Sequence, residues 1–178
     1  MTPLPHAAAG LIGWKLAARG KGGKTLAVFV FVACLPDIDF VLYPLLGRPD
    51  WLVHQRYTHN IVLSVLSALA FFPLLKEARL RVGLVLTALS HLVLDVIVVD
   101  NLAPIGFRPF LPFSDAYLNW GLFPFVRRGT IAEVLSVQNL VAFGLEIVLF
   151  VLPALWLCRK ELAALEKGAG PGIGAPPR

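Results

Sequence analysis

Long apolar runs, interrupted by proline or by short polar patches, decide most of what this chain can fold into. Ile61 to Leu75 carries no charged residue, Val82 to Val99 only Asp95, and Leu140 to Leu157 only Glu146. Each approaches the ~20 residues that cross a hydrocarbon layer as a helix. Thr25 to Leu35 begins another such run, which breaks at Pro36-Asp37-Ile38-Asp39 and resumes through Leu46, because proline removes a helical hydrogen bond. With 57% hydrophobic residues, 15% charged residues and a mean hydropathy of +0.75, a chain of 178 residues has too little polar surface to cover a soluble fold. A disordered chain, a disulfide scaffold and an ordinary soluble domain are all excluded. Cys34 and Cys158 sit singly inside apolar runs, so neither a disulfide framework nor a thiolate zinc site is expected.

The expected fold class is therefore all-α, an integral membrane helical bundle of about five helices. A short helix over residues 6–18 precedes the four runs above, and whether it spans is open. Phe107 to Phe125, aromatic and broken by prolines, is expected as an interfacial loop, since such rings rest at headgroup depth. Residues 1–167 read as one membrane-embedded domain, and 168–178, rich in glycine and proline, as a disordered tail. No basic segment precedes the first apolar stretch, so insertion is expected to be directed by the helices themselves.

The net charge of +5 does not point to nucleic acid, because the sixteen Lys and Arg are dispersed beside apolar segments. If the first helix crosses, Arg48, Arg56, Arg108, Arg127 and Arg128 fall on one side and the other eleven on the opposite side. Positive charge is retained in the cytoplasm, so the loops around residues 36–58 and 100–138 are expected on the extracytoplasmic face. Gly20 to Thr25 ends like a phosphate-binding loop, but Ala18 stands where its first glycine is required.

Chemistry concentrates in the first 95 residues, which hold all four histidines: His6, His54, His59 and His91. His91 and Asp95 are four apart, hence on one face of a helix in an apolar span. Ionisable groups there cost several kcal/mol unless compensated, and a divalent cation or a plain His–Asp hydrogen bond between helices would each compensate. The topology brings His6, Asp37, Asp39, His54, His59, His91 and Asp95 to one depth. Imidazole and carboxylate without thiolate suit Zn2+ best, with Mn2+ or Fe2+ as alternatives. Glu146, alone in the last span, is expected to hydrogen-bond a neighbouring helix outside this site.

Pro5-His6-Ala7-Ala8-Ala9-Gly10, Leu35-Pro36-Asp37-Ile38-Asp39, His54-x-x-x-Thr58-His59-Asn60 and Ser90-His91-x-x-x-Asp95 together resemble, over about residues 5–115, the membrane-bound metal-dependent hydrolase family typified by the YdjM and YvsG proteins. The order of ligand types also resembles the first half of the zinc-dependent phospholipase C site, carrying onto His6, Asp37 or Asp39, His59, His91 and Asp95. Gln55, Arg56 and Asn60 replace the arginine, glycine and serine usual in the family, and no later histidine completes a three-metal site. The resemblance implies one or two metal ions and hydrolysis of a phosphoester or membrane lipid ester, with the bilayer and such a substrate as partners. Of Asp37 and Asp39, one would bind metal and the other serve as general base or orient His59. Arg56 would stabilise charge on a phosphoryl oxygen. The alternative is a non-catalytic protein that binds or transports a divalent metal through the same ligands.

Overall fold

A computed structural model describes residues 2–20, 22–49, 53–98, 105–123 and 135–167. The expected tail over 168–178, together with Arg127 and Arg128, lies outside the described residues.

Helix α1 (Pro3–Ala18) occupies the centre and packs against three other helices. Proline near its start forfeits only an N–H that the first turn leaves unpaired anyway, and Arg19 (φ 51°) followed by Gly20 (φ 69°) ends it in the left-handed region. Trp14, fully buried, anchors the core with Phe29, Leu84 and Cys158. Gly10 lets α1 approach the next helix: a Cβ there would lie 2.6 Å from the Val30 Cα.

Helix α2 (Gly23–Cys34) runs into a 3-10 turn (Leu35–Ile38) and then α3 (Asp39–Leu45), so Pro36 interrupts the ladder without ending the segment. After the 53–60 loop, Asn60 caps α4 (Ile61–Ala70) by accepting the Leu63 N–H at 2.9 Å. A 3-10 turn (Phe72–Leu74) leads to α5 (Ala78–Val96). The 105–123 segment folds back on the end of α5, where Trp120 N–H donates to Val96 O and Leu122 N–H to Ile97 O, both at 2.7 Å. It thereby satisfies carbonyls that a helix end leaves unpaired.

The last segment is α6 (Val137–Glu146), a π turn (Ile147–Val151) and α7 (Leu152–Glu166). Asn139, Ala142 and Glu146 are buried before the turn, Ala154 and Cys158 after it. Eight α-helical residues from Glu146 to Ala154 would rotate the face by ~80°, and the wider π turn absorbs that offset, keeping one face toward α1. Two ties fix this docking. Thr2 donates through its N–H and hydroxyl to Glu146 at one end, and the Lys15 ammonium reaches Leu157 O and Glu161 at the other.

Among the described residues the chain is all-helical apart from isolated bridges, such as Phe107 with Leu118. Gly23–Leu45 and Val137–Glu166 are long and apolar enough to cross a membrane, whereas Ile61–Leu74 is shorter. Several boundaries differ from the sequence reading. α1 starts at Pro3, since proline is accommodated in a first helical turn, while α5 starts at Ala78 and the last segment at Val137 because polar residues such as Arg79, Arg81 and Gln138 continue the helices past their apolar stretches. The 61–75 run is split beyond Ala70, where Pro73 forces the tighter turn. Large apolar side chains remain exposed around the outside, Leu45, Leu86, Val93 and Trp156 among them. Water would penalise such a surface and lipid would not.

Candidate metal centre

The cluster assembles from four separate pieces of backbone. His6 comes from the second turn of α1, Asp37 from the 3-10 turn, His59 from the loop before α4, and His91 with Asp95 from one face of α5. His6 and His91 are fully buried, and Asp37, the most exposed of the five, is 7% exposed.

Their donor atoms meet at close range. His59 Nε2 lies 3.3 Å from Asp37 Oδ1, 3.2 Å from Asp95 Oδ2 and 3.1 Å from His91 Nε2. His91 Nε2 is 3.2 Å from Asp95 Oδ2, and His6 Nε2 is 3.4 Å from Asp95 Oδ1 and 3.8 Å from Asp37 Oδ2. A tetrahedron with bonds of 2.0–2.1 Å to nitrogen and oxygen has an edge of about 3.3 Å, so these separations suit atoms that share one small cation. Both ring nitrogens of His6 and both carboxylate oxygens of Asp37 are buried without a hydrogen bond. Buried polar atoms left this way carry a desolvation cost that a ligand would remove. Asp37 and Asp95 both converge on this cluster, and a dication there would balance their charge.

Neighbouring groups fix which nitrogen faces inward. His91 Nδ1 donates to Ala33 O at 2.7 Å, which leaves Nε2 as the acceptor toward the cluster. A 3-10 ladder would pair the Ala33 carbonyl with the N–H at position 36, and proline has none. His59 Nδ1 donates to Thr58 Oγ1 at 2.8 Å, and the Thr58 hydroxyl donates to Asp39 Oδ2 at 2.6 Å. This imidazole–hydroxyl–carboxylate relay sets the His59 tautomer in the manner of groups standing behind metal ligands.

The two aspartates therefore separate in role. Asp37 faces the cluster. Asp39 accepts from Thr58, from the Gln55 N–H at 3.3 Å and from His54 Nδ1 at 2.9 Å, so it orients the loop. His54 is half-buried, its ring 3.9 Å from that of Phe40, and it joins Asp37 and His59 in a second group whose donor atoms all lie within 4.8 Å. The first such group is His6, Asp37, His91 and Asp95, so the two share Asp37; His59 also reaches His91 at 3.1 Å and Asp95 at 3.2 Å, and Asp39 stands behind it. Arg56 is exposed over the Tyr57 ring and belongs to neither group.

Four contributors escaped the sequence reading. Thr58 stood in the quoted motif without a role, and the Ala33 carbonyl has no side-chain signal at all. Phe107, 2% exposed, closes over the His59 ring. Arg108 lies between the Tyr57 and Tyr117 rings and donates to Arg56 O at 3.0 Å, pinning the 105–123 segment to the histidine loop. Its spacing from His59 carries no periodicity that would have revealed this.

A buried imidazole–carboxylate cluster able to hold a metal, inside an all-helical shell with an apolar exterior, defines a membrane protein with a candidate metal centre. The chain belongs to the YdjM inner membrane protein family, whose pattern it matches over residues 1–163. That span reaches well past residue 115 and takes in most of the last helical segment. No curated protein and no solved structure matches the chain.

Proposed function

We propose that the chain is a membrane-bound metal-dependent hydrolase whose substrate is a phosphoester or a membrane lipid ester. The observation that supports this most is the convergence of His6, Asp37, His59, His91 and Asp95 at tetrahedral-edge distances, with hydrogen-bond acceptors aimed inward. The donor set favours Zn2+, with Mn2+ or Fe2+ as alternatives. A divalent ion held by these residues would supply an activated water and polarise the scissile bond. The chain's own part is to hold it: His91 and His59 in fixed tautomers, Asp37 and Asp95 balancing its charge. Asp37 and His54, the most exposed members, mark the side from which substrate enters. His54, oriented by Asp39, stands beside Asp37 and His59, where it could take a proton or help hold a second ion.

An extracytoplasmic site is part of this reading, and the distance of the cluster from the basic helix ends supports it. Lys15 with Glu161, and Ala17 against Gly83, set the basic ends of α1, α5 and α7 together, while Asp95 lies twelve residues, ~18 Å, further along α5. A second reading, a protein that binds metal without turnover, is favoured by the depth of His6 and His91. Metal analysis of protein purified in detergent, followed by phospholipid and phosphoester panels with and without chelator, separates the two. Chelator-sensitive turnover lost in His91→Ala supports the hydrolase. Bound metal without turnover on any ester supports the second reading, and wild-type metal content in His91→Ala refutes the centre.

A further inference from the structure

Glu146 stands out because it is an acidic side chain, 1% exposed, inside the more apolar of the two segments long enough to span a membrane, and the centre described above does not use it. Both of its oxygens are engaged by one residue: Thr2 N–H donates to Oε1 at 3.1 Å and the Thr2 hydroxyl to Oε2. Thr2 sits where a threonine would ordinarily cap α1 with its own side chain, yet it makes no such cap. Its hydroxyl is committed to the last helical segment instead.

His6 follows Thr2 by four residues, so the two occupy one face of the opening turn of α1. The His6 ring differs from the others in how it is held. His91 is fixed by Ala33 O and His59 by Thr58, whereas His6 makes no side-chain hydrogen bond and rests against the His91 ring at 3.7 Å and 17°. Apart from that stacking and the approach of Asp95 and Asp37 at 3.4 and 3.8 Å, its placement rests on the backbone of α1, whose start Thr2 ties to Glu146. The π turn that begins at Ile147 lets the same helix present Glu146 to Thr2 and still bury Ala154 and Cys158 against α1.

We propose that Glu146 is a positioning residue for the metal centre: by holding Thr2 it sets the register of His6, a remote support for a ring that no local hydrogen bond fixes. This rests on the reading of the His/Asp cluster as a metal site.

The test uses full-length protein in detergent and Co2+ alone as probe, titrated against a competing chelator, with the visible bands of the bound ion reporting its ligand set. Glu146→Ala should bind Co2+ about 10-fold more weakly, in the range that loss of a supporting group produces. Its spectrum should shift toward that of His6→Ala. Glu146→Gln, whose amide can accept from the Thr2 N–H and donate to its hydroxyl, should bind within twofold of wild type. Adding Glu146→Ala to His6→Ala should cost nothing further, because the two act through one ligand. Lys15→Met cuts the tie at the far end of α1 and should lower Tm without changing Co2+ affinity.

Wild-type affinity and spectrum in Glu146→Ala overturn the proposal, as does an equal loss in Lys15→Met or full additivity with His6→Ala. Should Glu146→Ala fail to fold, Thr2→Val carries the same test with a several-fold loss expected and wild-type binding refuting. His91→Ala distinguishes the two levels. If it retains Co2+ the centre itself is wrong, and if it loses Co2+ while Glu146→Ala does not, only the positioning role is.

Discussion

Replacing Thr58 by valine probes the relay behind His59 with little change in shape. The hydroxyl makes two bonds, accepting from His59 Nδ1 at 2.8 Å and donating to Asp39 Oδ2 at 2.6 Å. A hydrogen bond to a charged group contributes about 1.5–3 kcal/mol and a neutral one about 0.5–1.5. Thr58 is only half-buried, so the lower part of the sum applies, about 2 kcal/mol of stability in the metal-free protein. The effect on metal is the sharper measure. Without the hydroxyl the His59 N–H is unsatisfied and its ring is free to rotate or change tautomer, withdrawing Nε2 from Asp37, Asp95 and His91. Loss of such a supporting group costs 10–100-fold in affinity, about 1.4–2.7 kcal/mol. Competition of zinc between the protein and a chromophoric chelator near neutral pH measures it directly. Thr58→Ser, which keeps the hydroxyl, should stay near wild type. Zinc binding within twofold of wild type in Thr58→Val would refute the relay.

Chelation should lower Tm of the wild type, since it removes an ion that ties four separate pieces of backbone together, and should not change Tm of His91→Ala; equal shifts in both, by circular dichroism or dye binding, would argue against the centre. A second prediction concerns pH. Burial alone lowers the pKa of His59, but the Asp37, Asp95 and Asp39 carboxylates close to its ring outweigh burial and raise the pKa from 6.5 to about 9 in the metal-free protein. Its proton then stabilises the metal-free fold fully below pH 6.5, and this is lost as pH rises through about 9. Tm of chelator-treated protein should fall across that window, and a flat profile would remove the assignment. Gly10→Ala should destabilise by about 1–3 kcal/mol through overpacking, because its Cβ would meet the Val30 Cα at 2.6 Å. An unchanged denaturation midpoint would show that α1 and α2 separate more easily than their packing implies.

What the sequence made legible was what rests on periodicity and cost. Apolar runs announced the helices, and His91 with Asp95 four residues apart announced a face with buried charge. The helix ends were less readable because arginines at 79 and 81 and the polar residues near 138 continue a helix at no local penalty, while the apolar pattern stops short of them. The supporting groups were hidden for a different reason. A carbonyl oxygen such as that of Ala33 has the same chemistry at every position, and only the tertiary placement of His91 gives it a task. Glu146 was visible as an anomaly in an apolar segment, but its partner Thr2 lies 144 residues away.

The Asp37-x-Asp39 pair shows how local backbone and long-range assembly combine. On a helix, residues two apart point roughly 160–200° away from each other, which argues against their sharing a ligand. The structure uses that divergence. Asp37 Oδ1 lies 3.3 Å from His59 Nε2, and Asp39 Oδ2 lies 3.7 Å from His59 Nδ1 and joins it through the Thr58 hydroxyl. The two carboxylates therefore bracket one imidazole at its opposite nitrogens, one toward the centre and one behind it. Pro36 makes this geometry available, since the 3-10 turn that contains it places Asp37 at the break and Asp39 at the first residue of α3. The same proline leaves the Ala33 carbonyl without a 3-10 partner, and His91 takes it. One interruption in an apolar helix thus supplies a carboxylate for the cluster and fixes the orientation of both His59 and His91.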